Sequence, residues 1–343
     1  MIVPGRARDG TLAVASLLAA VVLWSASLSV VGVAVESASP GTVTFWRCVV
    51  GTLVLGAWVG MRKRRATHGP SPIGVTDCRS SSARRSWCWA AASGVACGSA
   101  FLLIAVGMQT VGSGPAGIVL SLIPGLTIML AALEGTGHGL DRRHVASLGL
   151  GGLGALTLAV PSGGGWSVIG LAVLALAAFA HAATNVTSGH SLERLDPTTV
   201  AAISMGVAAL VSVPFATFDH AMPVRAVLAI VALGVLPSGL AYVMYFHGIQ
   251  VLGPERAAYS NFLVPPVAVV AGLATFGEVP DGLTFLALML AMLALYVGIG
   301  GRAAPGPLSI SGRTMPAPAP PNVAADVASA TRRLGAARDR ARH

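Results

Sequence analysis

Ten stretches of this chain, each 16 to 24 residues long, contain a single Asp, Glu, Lys or Arg between them, and that residue is Arg47. They cover 12–35, 42–61, 87–108, 116–133, 145–160, 166–186, 199–215, 226–247, 257–276 and 283–299. A helix of about 20 apolar residues crosses the roughly 30 Å hydrocarbon core of a bilayer. A fold surrounded by water has no use for ten such runs, because it must coat itself with charge. Only 10% of the residues are charged, against about 25% in an ordinary soluble domain. The 42 glycines suit close packing of helices in lipid. The pattern predicts an all-α integral membrane protein with ten transmembrane helices, and the apolar run near the N-terminus, lacking a cleavage site, is expected to be a retained helix.

Charge orients the bundle. If the N-terminus is cytoplasmic, 20 of the 22 Lys and Arg residues fall in inside segments, among them the run Arg62, Lys63, Arg64, Arg65. Outside lies only Arg225, and Arg47 sits within the second run. The excess of basic residues in cytoplasmic loops places both termini inside, and an inner (plasma) membrane is the expected location. In this setting the net charge of +9 reports topology rather than affinity for nucleic acid. Residues 1–11 form a short cytoplasmic lead. The tail, 301–343, is rich in Pro, Ala and Arg; it cannot bury a core and is expected to be disordered.

The chain also repeats itself. Residues 107–124 laid over 248–265 give six identities in eighteen positions, a constant offset of 141: Gly107/Gly248, Gln109/Gln250, Gly112/Gly253, Ala116/Ala257, Leu122/Leu263 and Pro124/Pro265. Trp24 precedes Pro40, and His181 precedes Pro197, by the same sixteen residues. Helices one to five (12–160) therefore correspond to helices six to ten (166–300). Five is odd, so the second copy enters the membrane inverted. Two inverted halves can exchange conformations and open a central site to either side, which makes movement of a small solute the leading class of function.

Several segments resemble the EamA-type family of the drug/metabolite transporter superfamily. The first helix reads VVLWSASLSV, and the second carries Pro40 followed by WRCVVGTLVL. The third and fourth read IAVGMQTVGSGPAGIVLSLIPGL, and the ninth AAYSNFLVPPVAVVAGLATFGE. The resemblance covers roughly 12–300 and implies a ten-helix bundle moving metabolites, such as amino acids or related organic solutes, without ATP hydrolysis. One departure stands out. The closing glutamate falls at Glu278, whereas the first half has Gly137 and His138 there, with Glu134 a few residues early.

Polar, aromatic and proline residues at membrane depth are the candidates for a central substrate cavity, each with a plainer reading beside it. Trp24 and Ser25 lie mid-helix, where an indole needs a partner or a stacked solute, or else simply packs. Arg47 is a functional charge or one that snorkels to the headgroups. His181 pairs with Trp24 in the repeat and could carry a proton or meet an anion, or be satisfied locally; Asn185 follows one turn on. Tyr245, Ser260 and Asn261 interrupt apolar runs. Pro124 and Pro265 free backbone carbonyls that either line a cavity or only bend helices.

Other classes find less support. No Gly-x-x-x-x-Gly-Lys-Ser/Thr loop is present to cradle nucleotide phosphates, and the four cysteines form no metal-type pair. Gly149-x-Gly151-x-x-Gly154 lies in an apolar helix without a preceding strand, so close packing explains it better than a dinucleotide. A membrane enzyme lacks a nucleophile–base set, and a channel lacks filter loops. A structural or signalling membrane protein stays open on residues alone. No cofactor is expected; the expected partners are a small-molecule solute and the lipid bilayer, with no nucleic acid, and the working unit is a monomer or homodimer.

Overall fold

The apolar runs fold as helices. A computed structural model describes residues 4–66, 81–135, 141–158, 167–218, 222–277 and 279–299. Residues 67–80, Gly137 and His138, Glu278 and the tail lie outside the described residues. The α-helices are α1 (Pro4–Val35), α2 (Pro40–Ala66), α3 (Ser81–Gly107), α4 (Ser113–Leu120), α5 (Ile123–Leu133), α6 (Arg142–Thr157) and α7 (Val168–Leu192). They continue as α8 (Pro197–Ser212), α9 (Val224–Leu233), α10 (Ala241–Leu252), α11 (Pro254–Ala258), α12 (Val264–Phe276) and α13 (Gly282–Ile299). No strand occurs among the described residues.

Eight helical stretches are long and apolar enough to cross a membrane: α1, α2, α3, α4–α5, α7, α8 with its final 3₁₀ turn, α9–α10 and α11–α12. The predicted runs at 145–160 and 283–299 fall on α6, with 16 residues, and on the apolar Gly282–Gly298 of α13; both are shorter. Leu53, Ile169, Leu210 and Val224 are each at least 67% exposed. Water does not tolerate such an apolar exterior, and lipid does.

Local chemistry sets the helix ends. Asp196 accepts from the amides of Thr198 and Thr199 at 3.1 Å each, and Pro197 occupies the first turn of α8, where its missing N–H costs nothing. Pro40 and Pro254 open α2 and α11 in the same way. Gly253 closes α10 with φ of 86°, a left-handed angle open to glycine without strain.

Two helices break at matching places. Between α4 and α5 the chain passes Ser121 and Leu122, and Pro124 sits in the first turn of α5. Between α11 and α12 it tightens into a 3₁₀ stretch, Tyr259–Leu263, and Pro265 sits in the first turn of α12. Proline cannot donate to the preceding turn, so each helix restarts at it. A third irregularity is the π-helical stretch Gly234–Leu240, which contains Pro237 and joins α9 to α10.

The packing has a paired character. α3 lies along α7, and α10 lies along α1; α2 packs on α8, α4 on α12 and α6 on α13. The α3–α7 contact is close because Gly107 has no side chain: a Cβ there would strike Leu174. The α10–α1 contact is close because of Gly248, where a Cβ would strike Leu17. The pairing that sets Trp24 over His181 also sets Leu17 over Leu174. Gly154 makes a similar approach to the Ala287 carbonyl of α13, a packing role for that glycine.

Candidate solute cavity

Trp24, Ser27, Leu28 and Val31 form one stripe of α1, spaced by three and four residues, and this stripe is one wall of a partly open cavity of about 40 Å³. That is room for about three water molecules. α2 contributes Arg47, α3 contributes Phe101 and Ile104, and α7 contributes His181. The two broken helices supply the rest: Leu120 and Ile123 flank the α4–α5 break, and Asn261 and Val264 flank the start of α12. Leu120 and Asn261 are equivalent in the repeat, as are Ile123 and Val264. Trp24 faces its own counterpart, His181, with ring centroids 5.4 Å apart and planes nearly perpendicular. Positions paired by the sequence offsets thus converge on one cavity.

Arg47 is 3% exposed, so it does not snorkel out of the bundle. Its Nε donates to Ser238 Oγ at 3.0 Å, and its guanidinium carbon lies 3.9 Å from the centre of the Phe101 ring. Ser238 belongs to the π-helical stretch, so this irregular backbone and the buried cation hold one another in place. Among the described residues no acidic side chain lines the cavity. Among the described residues no carboxylate forms an ion pair with Arg47.

Trp24 donates its indole N–H to the Pro237 carbonyl at 2.8 Å and packs against Tyr242 and Tyr245 at 5.0 and 4.7 Å. Its edge is therefore fixed by the protein, leaving one side of the ring for the cavity. His181 is different. It is buried, and neither ring nitrogen has a hydrogen-bond partner. Such a group in low-polarity surroundings is costly unless something else meets it. Asn261 donates from Nδ2 to Tyr245 Oη at 2.9 Å and to the Ala258 carbonyl at 3.2 Å.

Of the ten residues predicted from sequence, Trp24, Arg47, His181 and Asn261 line this cavity. The other six lie behind or beside its wall. Ser25 bonds back to the Val21 carbonyl at 2.7 Å, and Ser260 to the Ala257 carbonyl at 2.7 Å. Asn185 donates to Thr127 at 3.1 Å, while its Oδ1 is unpartnered. Tyr245 supports Trp24 and Asn261 from behind. Pro124 and Pro265 restart the broken helices, and Pro265 also packs beside Gly117. Sequence reasoning missed the apolar lining, from Leu28 to Val264. Its only signal was helical spacing and the repeat offset, both shared with ordinary core.

A lipid-facing helical bundle with a cavity between its halves is the build of a multi-pass membrane transporter. The model of the EamA-like transporter family matches residues 11–160 and again 168–299, and the chain belongs to that family. A protein of Streptantibioticus cattleyicolor named "Probable terminal-alkyne amino-acid exporter" is 25% identical over 80% of this chain and 89% of its own length. The Bacillus subtilis "Uncharacterized transporter YdfC" is 25% identical over 58% of this chain and 64% of that protein. A solved crystal structure shares the fold with a TM-score of 0.60 at 22% identity, covering 83% of this chain and 95% of the other.

Proposed function

We propose that the chain is a secondary transporter exporting small metabolites, such as amino acids or related organic solutes, by alternating access. In this reading ten helices form two inverted repeats, 12–160 and 166–300, in the plasma membrane, with a cytoplasmic 1–11 lead and a cytoplasmic 301–343 tail. The observation that carries it is the matched convergence at the cavity: Trp24 with His181, Leu120 with Asn261, and Ile123 with Val264. The double matching of the family model and the paired glycine contacts, Gly107 on Leu174 and Gly248 on Leu17, support the same symmetry. Inverted repeats around a central site let one half adopt the other's conformation and so reverse the opening. With both termini inside, the stripe Trp24 to Val31 lies in the outer part of α1, and the cavity is displaced toward the outer face. Export is favoured by the name of the Streptantibioticus relative.

The test is expression in bacteria loaded with amino acids and related acids, with external metabolites followed by mass spectrometry. The expected result is faster appearance of one compound outside, lost in a Trp24→Ala/Asn261→Ala variant that still inserts. Equal external profiles for wild type and empty vector would reject export of that panel.

A further inference from the structure

We infer that the cavity recognises its solute by a carboxylate, with Arg47 as the anchor, and makes no use of a positive charge on the solute; this rests on the transporter reading above. Among the described residues the cavity's lining holds one cation, Arg47, and no anion. A buried guanidinium without a counter-ion is expensive at membrane depth, and bringing an anion to it offsets that cost. A solute carrying a single negative charge completes the site. A cationic solute adds a second unbalanced positive charge.

The donor geometry narrows the anion. Ser238 takes the Nε–H, and Phe101 covers the face of the guanidinium. Among the described residues no other acceptor is recorded for Arg47, which leaves its terminal N–H groups as the free edge. A planar pair of N–H donors matches the two oxygens of a carboxylate. His181 lines the same cavity with both ring nitrogens unpartnered and can supply a further N–H. Apart from Trp24, Ser27 and Asn261, the remaining walls are aliphatic: Leu28, Val31, Ile104, Leu120, Ile123 and Val264. They suit an alkyl chain. Among the described residues an α-ammonium group finds no acidic partner in the lining, only the neutral oxygens of Ser27 and Asn261, so an amino acid gains little there over the same acid without its amine. The volume of about 40 Å³ fits the head group and first carbons, with the chain extending toward the opening.

The experiment is calorimetric titration of the full chain in lipid nanodiscs with three five-carbon probes: pentanoate, norvaline and pentylamine. Pentanoate should bind at least as tightly as norvaline and at least tenfold more tightly than pentylamine. Arg47→Gln should weaken pentanoate at least tenfold, and Arg47→Lys should restore part of the loss, with size-exclusion profiles checking that each variant is intact. Pentylamine binding as tightly as pentanoate, or norvaline binding tenfold tighter, would overturn the inference. So would Arg47→Gln binding pentanoate like the wild type. Because binding is read without flux, the two failures separate: carboxylate binding without solute movement sinks the transport reading, and solute movement without a carboxylate preference sinks this one.

Discussion

In the first half Gly107 receives Leu174, and in the second Gly248 receives Leu17, so one contact is made twice by equivalent residues. Around the cavity the halves part company. Trp24 is opposed by His181, Leu120 by Asn261, and Phe101 and Ile104 correspond to Tyr242 and Tyr245. The contrast is also visible away from the cavity. Glu134 pairs with His190 at 2.8 Å, and His190 lies against the Trp89 ring at 4.6 Å. The counterparts of these three residues are Thr275, Val33 and Ile230, which can form no ion pair. Close backbone approach tolerates little change, since any added atom collides. A cavity wall or a bundle end can change its polarity without moving a helix. The close helix contacts match between the offset positions, and the residues at the cavity wall and the bundle end do not.

The largest test of this comparison is Gly107→Leu set against Gly248→Leu. Overpacking a helix contact costs about 1–3 kcal/mol. The two variants should lose thermal stability by similar amounts, toward the upper end of that range. A loss confined to one of them would break the equivalence of the halves. Next come Trp24→Phe and His181→Phe. The first leaves the Pro237 carbonyl without its donor and should cost about 1–2 kcal/mol in thermal unfolding. The second removes two unpartnered nitrogens and should leave stability unchanged or raised while reducing flux. Equal destabilisation by both would mean that His181 has a structural partner equivalent to Trp24's. Smallest is Glu134→Gln. The pair with His190 is part-exposed, with side chains 37% and 19% accessible, so its loss should cost only about 0.5 kcal/mol and vanish in high salt. A larger loss that persists in 1 M salt would make this end of the bundle a structural lock.

Much of the fold was legible in the residues, because a lack of charge over some twenty positions leaves a helix few options in lipid. The matched helix contacts and breaks were legible too, since glycine and proline act through the backbone and hold their register: Gly107 with Gly248, and Pro124 with Pro265. The cavity was harder to read. Polarity at depth pointed to Ser25, Asn185 and Ser260, but a hydroxyl or amide in a helix often finds a partner close by. Ser25 and Ser260 bond to their own turns, and Asn185 to Thr127. Ser238, which fixes Arg47, lies 191 residues away, and nothing local announces the pairing. Leu28, Val31, Phe101 and Ile104 carry no mark at all. An apolar side chain against a cavity spells the same as one in the core.

The central claim is that this chain carries a small solute by alternating access, and solute exchange across proteoliposomes tests it most directly. Purified protein would be reconstituted into vesicles preloaded with unlabelled pentanoate or norvaline, and uptake of the isotope-labelled compound from outside would be followed by mass spectrometry. Uptake should be saturable and accelerated by the internal solute, as expected when a loaded carrier returns faster than an empty one. Arg47→Gln should abolish it. Uptake no faster than in protein-free vesicles, across both solutes and a wider panel of small metabolites, would contradict that claim.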